Sequence, residues 1–99
     1  RYAVCFIDHP SLTPNQMIQE ICTQLGIDDP SRSRQDNLGQ LRRRLHAFYR
    51  KGIKCLIVID EAQNLRRNVL EQLRLLSNLE MAHRYLALFL WIIPSASHT

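Results

Sequence analysis

The segment Lys54–Leu65 reads KCLIVIDEAQNL, and it constrains the fold more than any other stretch. Five apolar residues, Cys55-Leu56-Ile57-Val58-Ile59, run without polar alternation into two adjacent carboxylates, Asp60 and Glu61. A continuous apolar run of this length, rich in β-branched residues and closed by a polar turn, fits a strand buried on both faces. Acids at the end of such a strand are expensive unless something compensates their charge.

Two other runs have the same character. Tyr2–Ile7 (YAVCFI) reads as a first strand and Tyr85–Ile93 (YLALFLWII) as a third, ended by Pro94. Helical patterns lie between them. In SLTPNQMIQEICTQLGI, Thr13 is a good N-cap, Pro14 suits the first helical position and Gln16 completes a Thr-x-x-Gln capping box. Met17, Ile18, Ile21, Cys22 and Leu25 then recur at helical spacing, and Gly26 supplies a stop. Asp28–Arg34 reads as a polar loop. A second helix is expected from about Gln35 to Lys51, capped by Ser33 and closed by Gly52, with Leu38, Leu41, Leu45 and Phe48 as its apolar stripe. The quoted strand then starts near Ile53. A third helix is expected from about Arg66 to Leu79, with Val69, Leu70, Leu73, Leu76 and Leu79 inward.

The order is strand, helix, helix, strand, helix, strand. That order implies an α/β fold with a three-layer parallel sheet, helices on both faces. Ninety-nine residues suffice for one domain, and 45% hydrophobic content argues against disorder. The longest apolar run is too short to span a membrane. Cys5, Cys22 and Cys55 are odd in number, form no CxxC pair and sit in apolar runs, so they read as reduced core residues of a cytosolic protein. A net charge of +4 allows an anionic partner without requiring one.

In open parallel sheets, ligands bind beyond the carboxyl ends of the strands. Asp60 and Glu61 end the middle apolar run, and Mg²⁺ takes oxygen ligands, often one or two carboxylates plus substrate phosphates. The pair therefore suits a magnesium–nucleotide site: Asp60 to hold the metal, directly or through water, and Glu61 to orient or deprotonate an attacking water. The competing reading, an acid pair that merely caps the next turn, is common for short motifs.

CLIVIDEAQNL resembles the Walker B segment of AAA+ ATPases. DEAQNL followed by VLEQLRLLSNLE is similar to the secretion-type ATPases of the general secretion pathway protein A family and to a related MSHA-type pilus-biogenesis ATPase. PSLTPNQMIQEICTQLGI and the long helix ahead of Lys54 resemble the same family, so that the likeness runs from about Tyr2 to Glu80. The resemblance implies a P-loop NTPase core in which Asp60 is the magnesium-associated acid, through water, and Glu61 the catalytic acid. It implies Mg²⁺ and ATP as cofactors of the longer protein, and coupling of hydrolysis to a secretion or pilus machine. The expected location is cytoplasmic, with a peripheral place at the inner membrane open to the longer protein. Gln63 and Asn64 fall in the family's turn, where a structural role is as well supported as a catalytic one.

The pattern G-x-x-x-x-G-K-[ST], whose backbone N–H groups and lysine cradle phosphates, is absent from the 99 residues. In the family it would precede Tyr2. Residues 1–99 thus read as one partial domain, inactive in ATP hydrolysis alone and not expected to bind nucleotide tightly. The family's sheet order sets the three strands side by side, with the last strand next to the P-loop strand. Its unpaired edge here would favour self-association. The end LFLWIIPSASHT departs from the family, and no sensor residue is assigned in it.

Other cations and loops are weaker candidates. Arg42, Arg43 and Arg44, with Arg32, Arg34, Arg50 and Lys51, would suit nucleic-acid phosphates, but a solvated helix face is the preferred reading. That leaves a transposition- or DNA-associated ATPase as one alternative function and a non-catalytic interaction module as another. Among Arg66, Arg67, Arg74 and Arg84, Arg84 is best placed for an arginine finger, though a surface arginine is favoured there too. His9, beside Asp8 and Pro10, reads as structural, and Trp91 and the methionines read as core.

Overall fold

The structure, a computed structural model, describes residues 1–8, 11–60, 62–77 and 86–91. β1 (Tyr2–Ile7) leads to α1 (Pro14–Gln24) and α2 (Arg34–Arg50). β2 (Lys54–Asp60) follows, then a single 3-10 turn (Ala62–Asn64), α3 (Arg67–Ser77) and β3 (Leu86–Trp91). The strands form one parallel sheet in the order β1-β2-β3, with Cys5 opposite Ile57, Ile7 opposite Ile59 and Asp60 opposite Trp91. The expected α/β class, element order, parallel pairing and side-by-side strand order all hold.

The element ends follow from local chemistry. The Thr13 hydroxyl accepts from the Gln16 backbone N–H at 3.1 Å, and the Gln16 side chain accepts from the Thr13 N–H at 2.9 Å, so both halves of the capping box form. Ser33 caps α2 by accepting from the Asp36 N–H. At the other ends, Gly26 (φ 87°) and Gly52 (φ 75°) take the left-handed conformation that glycine adopts without strain. The N–H groups of Ile27 and Ile53 then return to the carbonyls of Cys22 and Phe48, while those of Gly26 and Gly52 reach Thr23 and Tyr49. α1 and α2 thereby each end in a Schellman motif that satisfies their last carbonyls. The two ends of α2 and the starts of β2 and α3 each differ from expectation by one residue, the usual fraying of element ends. Leu79 and the ends of the third apolar run lie outside the described residues.

The core lies on one side of the sheet. Cys5, Ile7, Cys55, Ile57 and Ile59 point to the helices and are buried with Met17, Ile18, Ile21 and Cys22 of α1, Leu41 and Leu45 of α2, and Val69, Leu73 and Leu76 of α3. Tyr2, Val4 and Phe6 point the other way and are about half exposed, and Leu56 and Val58 beside them are half-buried. Helices therefore cover one face among the described residues, where the apolar runs suggested both. Leu70, expected inward, is 39% exposed, and Gln72 is buried in its place. The buried stripe of α3 is 69-73-76, and Gln72 sits beside it because the Arg34 guanidinium donates to its Oε1 at 3.1 Å. No described helix is long and apolar enough to cross a membrane.

Candidate functional site

Asp60 is the last residue of β2, the middle strand, and β2 is parallel to both neighbours. It therefore stands at the carboxyl end of the sheet. The chain turns away at once: Ala62 and Leu65 bury their side chains, and the Leu65 N–H closes the 3-10 turn on the Ala62 carbonyl at 3.1 Å. Apolar anchors on both sides thus fix where the acid sits. α1 and α3 each follow a strand of this sheet, so their N-termini lie toward the same end.

The Asp60 carboxylate is half-buried, and its Oδ1 is fully inaccessible with no hydrogen-bond partner among the described residues. A buried carboxylate oxygen without a donor is costly, and a cation or a cation-bound water is the kind of group that satisfies it. Among the described residues no three His, Cys, Asp or Glu side chains converge, so the protein forms no metal cage of its own there. That donor set fits Mg²⁺, which keeps several waters and takes substrate oxygens, better than Zn²⁺ or Ca²⁺. Glu61, His9 and Arg84 lie outside the described residues. Gln63 and Asn64 are in the 3-10 turn, and both side chains are exposed.

The arginines of the second helix part company. Arg42 and Arg43 are exposed. Arg44, exposed as well, also donates from Nε to the Leu25 carbonyl at 2.8 Å and lies 5.4 Å over the Phe48 ring. A Cβ at position 26 would meet only the tip of the Arg44 guanidinium, the far end of a flexible side chain that can shift, so it is the φ of 87° that calls for glycine there. Arg44 ties the end of α1 to α2. Arg66 and Arg67 are exposed at the start of α3, and Arg74 is held by Glu71 at 2.6 Å in an exposed pair that draws the Glu71 carboxyl below its usual value.

The three thiols are buried and unbridged. Burial pushes Cys22 up to about 11. Hydrogen bonding with Cys55, and then burial, hold the Cys5 thiol well above its usual range. The same hydrogen bond draws the Cys55 thiol below its usual value, but all three thiols are buried, and an enclosed thiol is a poor nucleophile, which leaves the carboxylates as the chemistry-bearing groups.

Three polar residues that the sequence did not single out shape the surroundings. The Asn37 side chain, fully buried, donates to the Ser31 carbonyl and accepts from the Ser31 N–H, both at 2.8 Å. It clamps the α1–α2 loop. Gln24 holds the backbone of Phe6 in the same two-bond manner, and Gln72 receives Arg34. No short motif marks any of them.

Comparison with known proteins agrees with this geometry. A family model described as AAA domain matches residues 1–99. General secretion pathway protein A of Aeromonas hydrophila is 36% identical over 78 residues, which cover 78% of this chain and 14% of that protein. The chain therefore spans about one-seventh of the length of that relative. A parallel α/β sheet with an acid at the end of its middle strand, matched along its whole length by that model, places the chain in the AAA domain family.

Proposed function

We propose that this chain carries the Walker B half of a nucleotide-hydrolysing module. Asp60 would hold Mg²⁺, directly or through water, and Glu61 would orient and deprotonate the water that attacks the γ-phosphate. The observation that carries this reading is the Asp60 Oδ1, buried at the carboxyl end of the middle strand and without a donor among the described residues. Magnesium supplies charge neutralisation of the phosphates when bound. The chain's own contribution is to fix one acid rigidly on an interior strand and to set the second directly after it. Phosphoryl transfer needs positioning and charge stabilisation above all, and a phosphate loop provides much of both. Without that loop the 99 residues have no turnover of their own.

The likeness to general secretion pathway protein A supports a role in secretion, and service to a pilus machine within a longer cytoplasmic protein belongs to the same proposal on the sequence resemblance alone. The test uses a polypeptide that joins this chain to a glycine-rich phosphate loop. Glu61→Gln is expected to keep ATP binding and lose hydrolysis by about 100-fold or more, a loss typical for removal of a general base. Asp60→Asn is expected to raise the Mg²⁺ requirement. Unchanged turnover in Glu61→Gln overturns the assignment.

A further inference from the structure

The segment from Arg34 to Lys51 holds six cations against one carboxylate, Asp36, while the whole chain nets +4, so the remainder of the sequence is slightly acidic. The cations are not spread evenly around α2. Ala47 is exposed, and Arg43, Arg44, Arg50 and Lys51 stand four and three residues before and after it. Those spacings bring side chains together on one side of a helix. That side lies opposite the buried Leu41 and Leu45.

Two hollows meet at Ala47. One, of about 210 Å³, is lined by Ile27, Gln40, Arg43 and Arg44, and the other, of about 360 Å³, by Arg50 and Lys51. Each has room for a tetrahedral oxyanion with several waters, at about 30 Å³ of liquid per water. Among the described residues no carboxylate pairs with Arg43, Arg50 or Lys51. Arg44 spends one donor on the Leu25 carbonyl and keeps its charge. A methyl-sized floor ringed by four cations is a concave positive surface, and its charge is not neutralised from within.

We propose that this face of α2 binds the phosphate backbone of double-stranded nucleic acid without reading its sequence. Seven residues separate Arg43 from Arg50, about 10 Å along the axis at 1.5 Å per residue, so the cup spans more than one phosphate of a strand. Single-stranded partners need aromatic rings among the cations. Tyr49, the exposed aromatic of α2, stands four residues after Leu45, on the flank and away from Ala47. A lipid surface would need an apolar helix face to insert, and the apolar face of α2 is consumed by the core. The proposal is independent of the nucleotide reading at Asp60.

The test is fluorescence anisotropy of the 99-residue chain with a labelled 20-base-pair DNA duplex of mixed sequence. Three to four phosphate contacts predict that affinity falls about 100-fold between 50 and 200 mM salt. Arg43→Gln/Arg50→Gln/Lys51→Gln should remove most binding and flatten that dependence, and Ala47→Glu, which sets a carboxylate in the middle of the cup, should do the same. Arg44 is left intact because it holds Leu25. The control Arg42→Gln/Arg66→Gln changes cations outside the cup and should shift affinity by no more than about threefold. Circular dichroism confirms that each variant stays folded. Absent binding at 50 mM salt, equal loss in the control, or tighter binding to phosphatidylglycerol vesicles than to the duplex would overturn the proposal.

Discussion

Gln24 occupies the outer edge of β1 as a neighbouring strand would: its Oε1 accepts from the Phe6 N–H at 2.7 Å and its Nε2 donates to the Phe6 carbonyl at 2.8 Å. The same Nε2 donates to Glu20 at 2.7 Å, which steadies the amide. β1 pairs with β2 on its other side. A strand edge with free N–H and C=O groups recruits further chains, and a side-chain amide that mimics a strand closes it. Gln24→Ala should therefore cost roughly 1 kcal/mol and raise edge-to-edge self-association, read as a shift to larger species in sedimentation velocity. Gln24→Glu, which cannot donate to the Phe6 carbonyl, should fall in the same direction. A variant that stays as dispersed as the parent shows that the edge is not guarded this way.

Among the described residues β3 is the other edge strand of the sheet. Self-association of the unmodified chain through β3 is the expected consequence. Cross-linking and mass mapping should place residue contacts near 86–91, and a chain that stays monomeric at high concentration would count against it.

Asn37 should matter more than a polar residue on a surface helix normally does. Replacing it by alanine leaves the Ser31 N–H without its partner and the Ser31 carbonyl with the Gln19 amide alone, in a partly buried loop, which typically costs about 1–3 kcal/mol. Chemical denaturation gives the number directly. A loss below about 0.5 kcal/mol would show that water takes over the clamp.

The burial of α3 separates two leucines. Leu73→Ala should cost about 2–5 kcal/mol because it opens a core cavity, whereas Leu70→Ala should cost under about 1 kcal/mol. Leu73 is 2% exposed and Leu70 39%. Equal losses would contradict the observed stripe.

Cys22 provides a pH signature. Burial raises its thiol from an ordinary 9.0 to about 11, so the folded state binds the proton more tightly than the unfolded one. The resulting stability is present in full below pH 9.0 and is lost as the pH rises to about 11. Denaturation midpoints should fall over that interval and fall less in Cys22→Ala. At pH 8 the native thiol should react with a disulfide reagent far more slowly than the unfolded chain.

Much of this was legible in the sequence because local signals agreed with the fold. Thr13-Pro14-Gln16 fixed the start of α1, and Gly26 and Gly52 marked turns that only a left-handed residue makes cheaply. The apolar run before Asp60 gave β2 and hence the position of the candidate acid. What stayed hidden was long-range. Nothing near Gln24 or Asn37 says that each amide will pair with a backbone six or more residues away, since the fold alone brings Phe6 and Ser31 within reach. Leu70 fits an apolar helix stripe as well as Leu73 does, and only the position of the sheet decides between them. The unbroken apolar pattern of β1 likewise gave no warning that one of its faces would carry no described helix.

The central claim is that Asp60 faces a divalent cation beyond the carboxyl end of β2. Paramagnetic broadening detects even weak occupancy, so ¹H–¹⁵N spectra of the chain titrated with Mn²⁺ and ATP test it most directly. The account predicts broadening centred on residues 59–62, abolished in Asp60→Asn. Broadening centred elsewhere, or unchanged by Asp60→Asn, would contradict it.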